Sequence, residues 1–223
     1  MKQKLDLKSA IEVAIAKEMA VPDESTGLIE YRHGALLKSE DESLEKSAKS
    51  DHTEPDEDDM MLINQLAREP QEKSAWMVLR NVNPLGDPSE PDSDADIFGA
   101  SAVKQMAEQA YGTPVLVDHD HSLGDKPPVG MAIRGKVSKG MLRETWAIPK
   151  EDYNANIRKG LLNGTINKIS VGAFIAPADK VCNACNNGRS IYSMDCPHIP
   201  GRLDPKTGEM VTTTIKAVKR YAE

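Results

Sequence analysis

Three cysteines and a histidine stand close together in "CNACNNGRSIYSMDCPH", and the chain has no other cysteine. Cys182 and Cys185 form a C-x2-C knuckle; Cys196 and His198 form a tighter C-x-H pair. A tetrahedral zinc ion needs four soft or borderline ligands, and two close pairs supply them at low loop entropy. Four protein ligands would close the site, so the expected Zn2+ is structural rather than catalytic. The competing reading is three reduced thiols in a surface loop.

A second concentration of chemistry lies in "VDHDHSLGDKPPVG", which holds two of the chain's five histidines. His119 follows an apolar strand and could act as a general base. Two other readings stay open, a solvated loop histidine and a metal cluster with Asp118, Asp120 and His121. Further on, "KISVGAFI" carries Ser170 inside a strand, with Gly172 two positions later leaving room for a substrate backbone. Serine is a weak nucleophile until an imidazole comes within hydrogen-bond reach. Taken singly, Ser170 is equally a small strand residue.

The elements that must position these groups can be read from periodicity. Leu7, Ile11, Ala14 or Ile15, and Glu18 follow a helical wheel. Residues 39–59, "SEDESLEKSAKSDHTEPDEDD", are acidic and nearly free of apolar side chains, which predicts a disordered linker. "SAWMVLRNV" reads as a strand and "NPLGDPSEPDSDADIFG" as a long loop. "SAVKQMAEQAYG" reads as a helix burying Val103, Met106, Ala107 and Ala110 and stopping at Gly112. Period-two alternation predicts strands with Val129, Met131, Ile133 and Val137 on one face, then Leu142, Trp146 and Ile148. "PKEDYNANIRKGLLNG" predicts a helix beginning at Pro149, burying Tyr153, Ile157 and Leu161, and ending at Gly164. In "KISVGAFI", Ile169, Val171, Ala173 and Ile175 share one side, and "VTTTIKAVKRYAE" reads as a final strand. The expected organisation is a helical arm over 1–38, an acidic linker over 39–59, and a β-dominated α+β domain over 60–223 that includes the zinc loop 181–201.

Composition narrows the function. A net charge of −7 argues against a nucleic-acid surface, which needs clustered Lys and Arg, and so against a zinc-ribbon nucleic-acid module. No apolar run approaches the about 20 residues of a membrane span. Glu12 interrupts the apolar stretch of the basic N-terminus and no cleavage pattern follows, so cytosolic synthesis is expected.

In order along the chain, "VLVDHD", "PPVG", a curved strand pair, a helix ending "LLNG" and "KISVGAF" resemble the prohead (head maturation) protease family of tailed bacteriophages. Some members similar to this chain also carry a Cys/His loop ending "CPHIPG", as at Cys196–Gly201. The resemblance covers about Trp76 to Glu223. It implies a serine endopeptidase with the fold of the herpesvirus assembly protease (assemblin), a closed or strongly curved β-barrel flanked by helices. It matches His119 to the base, Ser170 to the nucleophile and Glu223, in "KRYAE", to an acid on a late strand. Family members run on through another strand after that acid, whereas Glu223 is the last residue here. A processed product, a differently completed barrel or a chain that no longer cleaves would each account for this.

Two functions follow from the resemblance. One is a maturation protease cleaving scaffold or capsid segments inside the assembling head, in the host cytoplasm. The other is an inactive protease-fold protein of the virion that binds capsid, portal or tail components. Either would work beside scaffold, capsid or portal proteins and further copies of itself, with no membrane and no nucleic acid.

Overall fold

The computed structural model describes residues 22–23, 28–36, 52–116, 128–166, 168–185 and 187–222. Its strands begin with β1 (Pro22–Asp23), β2 (Leu28–Leu36) and β3 (His52–Thr53), before helix α1 (Glu57–Ala67). Then come β4 (Trp76–Val82), β5 (Asp96–Phe98), helix α2 (Ala100–Gln109) and β6 (Pro114–Val115). The hairpin β7 (Gly130–Ser138) and β8 (Met141–Pro149) leads to helix α3 (Ala155–Asn163) and to β9 (Lys168–Ile175). The short strands β10 (Lys180–Cys182), β11 (Thr213–Ile215) and β12 (Arg220–Ala222) complete the series.

These strands form a five-stranded sheet ordered β3-β4-β8-β7-β6, a four-stranded sheet β1-β2-β9-β12 and a three-stranded sheet β10-β11-β5. All pairings are antiparallel except β11 with β5. Register shifts interrupt β8 against both β4 and β7. Such irregularities bend strands and increase their twist, and the sheet curls into a half-barrel. The class is therefore α+β and β-rich, as expected.

The central strands are buried on both faces. On the inner side Leu142, Trp146 and Ile148 of β8 pack with Val103 and Met106 of α2 and with Val171, Ala173 and Ile175 of β9. On the outer side Ile63 of α1 packs on Trp76, Ile133 and Ala147. Helix α2 lies close on β7 because Gly135 has no side chain; a Cβ there would sit 2.5 Å from the Ala107 carbonyl oxygen and 2.6 Å from the Ala110 Cβ.

Several elements differ from the sequence reading. Residues 28–36, expected within a helical arm, form β2, and β3 and the first turn of α1 fall within the expected linker. The acidic run there caps a helix. Asp59 N–H donates to Asp56 Oδ1 at 2.8 Å and Asp56 N–H returns to Asp59 Oδ2 at 3.2 Å, a reciprocal capping box. That backbone hydrogen bond is the chief reason the Asp56 carboxyl is held below the usual range. Asp59 itself is fully buried, paired with Arg80 and, at 3.4 Å, with Arg134.

The helix expected from Pro149 begins at Ala155 after a 3-10 turn, because β8 runs on to Pro149. Ile157 and Leu161 pack on the core, but Tyr153 is half exposed. Val137 is likewise exposed, since the shifted register between Ala132 and Arg134 breaks the period-two pattern. The single final strand is two short strands in different sheets. The expected helix within residues 1–20 lies outside the described residues.

Glu144 was hidden among the apolar positions of β8. It is 1% exposed, and its carboxylate accepts from the Trp146 indole N–H at 2.7 Å. Burial pushes its carboxyl up to about 7, against the opposing pull of Trp146 and Tyr221. An acid raised in this way stabilises the fold fully below the ordinary carboxylate range, and that contribution is lost as pH rises through about 7. By pH 8 the loss is on the order of 3 kcal/mol. In Glu144→Gln, the difference in urea-unfolding free energy between pH 5 and pH 8 should shrink by about that amount; equal differences in the two proteins would exclude Glu144 as the source. Gly135→Ala should lower stability by about 1–3 kcal/mol through overpacking against α2, read as a lower urea midpoint at unchanged slope.

Candidate metal centre and serine strand

Residues 183–212 form an insertion between β10 and β11, which pair as Lys180↔Ile215, Val181↔Thr214 and Cys182↔Thr213. Its base is tied down by charge. Lys180 Nζ lies 2.8 Å from Asp96 Oδ2, both groups are buried, and the Thr213 hydroxyl also donates to the Asp96 carboxylate. A buried pair of this kind holds only when its hydrogen bonds are well satisfied, and breaking one side is costly.

The knuckle follows directly. Cys182 closes β10, its N–H donating to the Arg189 carbonyl at 2.9 Å, and the chain turns with Cys185 N–H donating to Cys182 O at 3.4 Å. The backbone N–H groups of Ala184 and Cys185 are directed at the Cys182 sulfur, where they favour the thiolate. The second pair arrives through another tight turn, with Cys196 N–H donating to Ser193 O at 2.9 Å. Proline at 197 then stiffens the step to His198.

The four side chains converge. Nδ1 of His198 lies 3.5 Å from Cys182 Sγ, 3.3 Å from Cys185 Sγ and 3.9 Å from Cys196 Sγ. Cys185 and Cys196 sulfurs are 3.8 Å apart, and all four ligand atoms fall within 4.8 Å of one another. Around a tetrahedral ion with ordinary Zn–S and Zn–N bonds, neighbouring ligand atoms are about 3.8 Å apart for S–S and about 3.5 Å for S–N. The quartet is thus close enough to bind one metal ion, and its dimensions are compatible with zinc.

The electrostatics agree. Burial, and next the neighbouring Cys196, push the Cys182 thiol up to about 12, and burial likewise raises Cys185. Three thiolates would repel one another in this enclosure; a divalent cation removes the penalty and releases protons on binding. Cys182 and Cys196 are buried with Ile191 and Val211 in a separate small apolar cluster. An ion held by all four side chains would have no open coordination position, so it would staple the chain rather than activate water.

One neighbour of the quartet gave no signal in the ligand spacing. Asp204, itself buried, places Oδ2 3.9 Å from Nε2 of His198, on the side of the ring away from the sulfurs.

The other candidate residues are placed unequally. Ser170 lies on β9, opposite Gly34 of β2, while β12 covers the other edge of β9 from Gly172 to Phe174. The alternate positions Val171, Ala173 and Ile175 are wholly buried in the core. His119, with Asp118, Asp120 and His121, and Glu223 lie outside the described residues. Asn154, fully buried, donates from Nδ2 to the Val129 carbonyl at 3.0 Å and to the Pro149 carbonyl at 3.3 Å. The turn into α3 is thereby fastened to the Pro-Pro-Val-Gly stretch. Among the described residues, no helix is long and apolar enough to cross a membrane.

Compared with known proteins, the chain matches no family model, no curated protein and no solved structure.

The quartet should bind one Co2+ per chain, with the sulfur-to-cobalt charge-transfer absorption of a thiolate site. Cys185→Ser should weaken binding by roughly a hundredfold or more, because it removes a ligand outright. Co2+ uptake by the variant equal to that of the parent chain would place the metal elsewhere.

Proposed function

We propose that this chain is a serine endopeptidase of the prohead maturation type on an assemblin-like barrel, with a structural Zn2+ in the Cys182/Cys185/Cys196/His198 quartet. Ser170 is the nucleophile, His119 the base and Glu223 the acid that orients the imidazole. One observation carries most of the weight. Val115, on the strand that leads into the His119 loop, and Val171, next to Ser170, are buried in one apolar cluster, and Ile157 and Leu161 of the intervening helix α3 pack against it. A shared core favours the loop and the serine strand opening at a common edge. The half-barrel curl and the order of strands and helix along the chain support the same reading.

The chemistry is that of acyl transfer. His119 takes the proton from Ser170 Oγ as the oxygen attacks the scissile carbonyl, and backbone N–H groups hold the oxyanion. The protonated imidazole then gives its proton to the leaving amine, and water hydrolyses the acyl-enzyme. The metal takes no part in these steps. Its contribution is to hold the insertion that lies between β10 and β11. Substrates would be segments of scaffold or capsid protein in an assembling phage head within the host cytoplasm.

A fluorophosphonate probe should label the full chain at one site, and Ser170→Ala should abolish both labelling and cleavage of scaffold while leaving the unfolding midpoint unchanged. Normal processing by Ser170→Ala would refute the assignment. Absence of labelling in the parent chain, together with its retention at fixed copy number in mature particles, would replace it with a protease-fold structural protein of the virion.

A further inference from the structure

We infer that Asp204 is the positioning residue of the metal centre: its carboxylate faces Nε2 of His198 at 3.9 Å, favours the proton on that nitrogen and so keeps Nδ1 toward the metal. The inference rests on the metal reading of the quartet and is independent of the proteolytic one.

The geometry divides the two ring nitrogens. Nδ1 faces all three sulfurs at 3.3–3.9 Å. Nε2 faces Asp204 Oδ2 at 3.9 Å, with the two side chains only 13% and 8% exposed. In a neutral imidazole one nitrogen carries the proton and the other offers the lone pair. A carboxylate beside Nε2 selects the tautomer that leaves the lone pair on Nδ1, and a metal drawing density from Nδ1 makes Nε2–H a stronger donor.

Asp204 is held for this task by its own turn. Oδ1 accepts the Lys206 N–H at 2.9 Å and Oδ2 accepts the Thr207 hydroxyl at 3.4 Å. The turn closes through Asp204 N–H to Glu209 O and Gly208 N–H to Asp204 O, both 2.8 Å, with Gly208 at φ +73°. Outside it, the Leu203↔Met210 bridge and the 2.7 Å bond from Val211 N–H to Arg202 O continue the ladder. Val211 belongs to the small core that contains Cys182 and Cys196, so the turn is anchored to the ligands themselves. Both donors to the carboxylate are uncharged, and Oδ2 faces the ring nitrogen at 3.9 Å. The metal motif of this chain is therefore C-x2-C, then C-x-H-x5-D, running to Asp204.

Asp204→Asn tests this with little change of shape. The asparagine Oδ1 can still accept the Lys206 N–H, which turns its NH2 group toward the ring N–H, donor against donor. In the full-length chain, Co2+ affinity measured against a competing chelator should fall about 10–100-fold. The unfolding midpoint of the metal-free chain should stay unchanged. Thr207→Val disturbs the same turn but keeps the carboxylate, and its affinity should stay within about threefold of the parent. Long-range 1H–15N correlation of the Zn2+-loaded parent chain should show His198 protonated at Nε2 and metal-bound at Nδ1. Unchanged Co2+ affinity in Asp204→Asn, or a metal bound at Nε2, would overturn the assignment. Failure of the parent chain to bind Co2+ at all would remove the metal reading and this role together, and would be visible before any variant is made.

Discussion

The contact on which the rest of the architecture depends is between the inner face of β8 and the inner face of β9. Leu142, Trp146 and Ile148 on one side and Val171, Ala173 and Ile175 on the other belong to one apolar cluster, with α2 filling the space beside them. That contact joins the five-stranded sheet to the serine strand. Each fully buried side chain of this size contributes roughly 1.5–3 kcal/mol by leaving water. The long-range burial offsets the entropy of bringing distant segments together, which no local preference of the strands could do. It also leaves little freedom for β9, the strand whose other register positions include Ser170.

Glu144 is a charge-bearing side chain set into this apolar face, and burial raises its carboxyl to about 7, so its protonation changes near neutral pH. Trp146, on the same strand, and Tyr221, from β12, both supply polar contacts to its carboxyl. The cohesion of the core is thus linked to the protonation of this carboxyl.

The metal insertion obeys a different economy. Its own core is four buried residues, Cys182, Ile191, Cys196 and Val211, two of which are ligands. So small a cluster cannot hold a stretch of this length by burial alone, and small units of this kind rely on metals or disulfides. The quartet is close enough to hold a metal ion that would act as such a staple, while Lys180 and Asp96 bind the base of the insertion to β5. The Lys180–Asp96 pair and the Asp204 turn lie at either end of this stretch, which returns the chain to β11.

Much of this was legible in the residues themselves. The C-x2-C and C-x-H pairs announced the quartet because ligand chemistry is tied to residue type, and two close pairs need little help from the fold to meet. Helix α2 and the buried side of β9 were visible because their apolar periods of 3.6 and 2 survive intact in the fold. Where the period failed, tertiary structure had intervened. The register shift in β7 put Val137 at the surface, and the covering of the central strands on both faces erased their alternation. Glu144 could not be told from an exposed acid, since only the closing of β12 over β8 deprives it of water. Asp59 looked like part of a solvated run until Arg80 and Arg134, distant in sequence, came to meet it. Asp204 carried no spacing rule, because a carboxylate that faces the far nitrogen of His198 is placed there by where a turn folds back. Residue type thus determined which chemistry the chain could hold. Only three-dimensional packing decided which groups lost their water and which partners they faced, because desolvation and long-range pairing are properties of the folded whole.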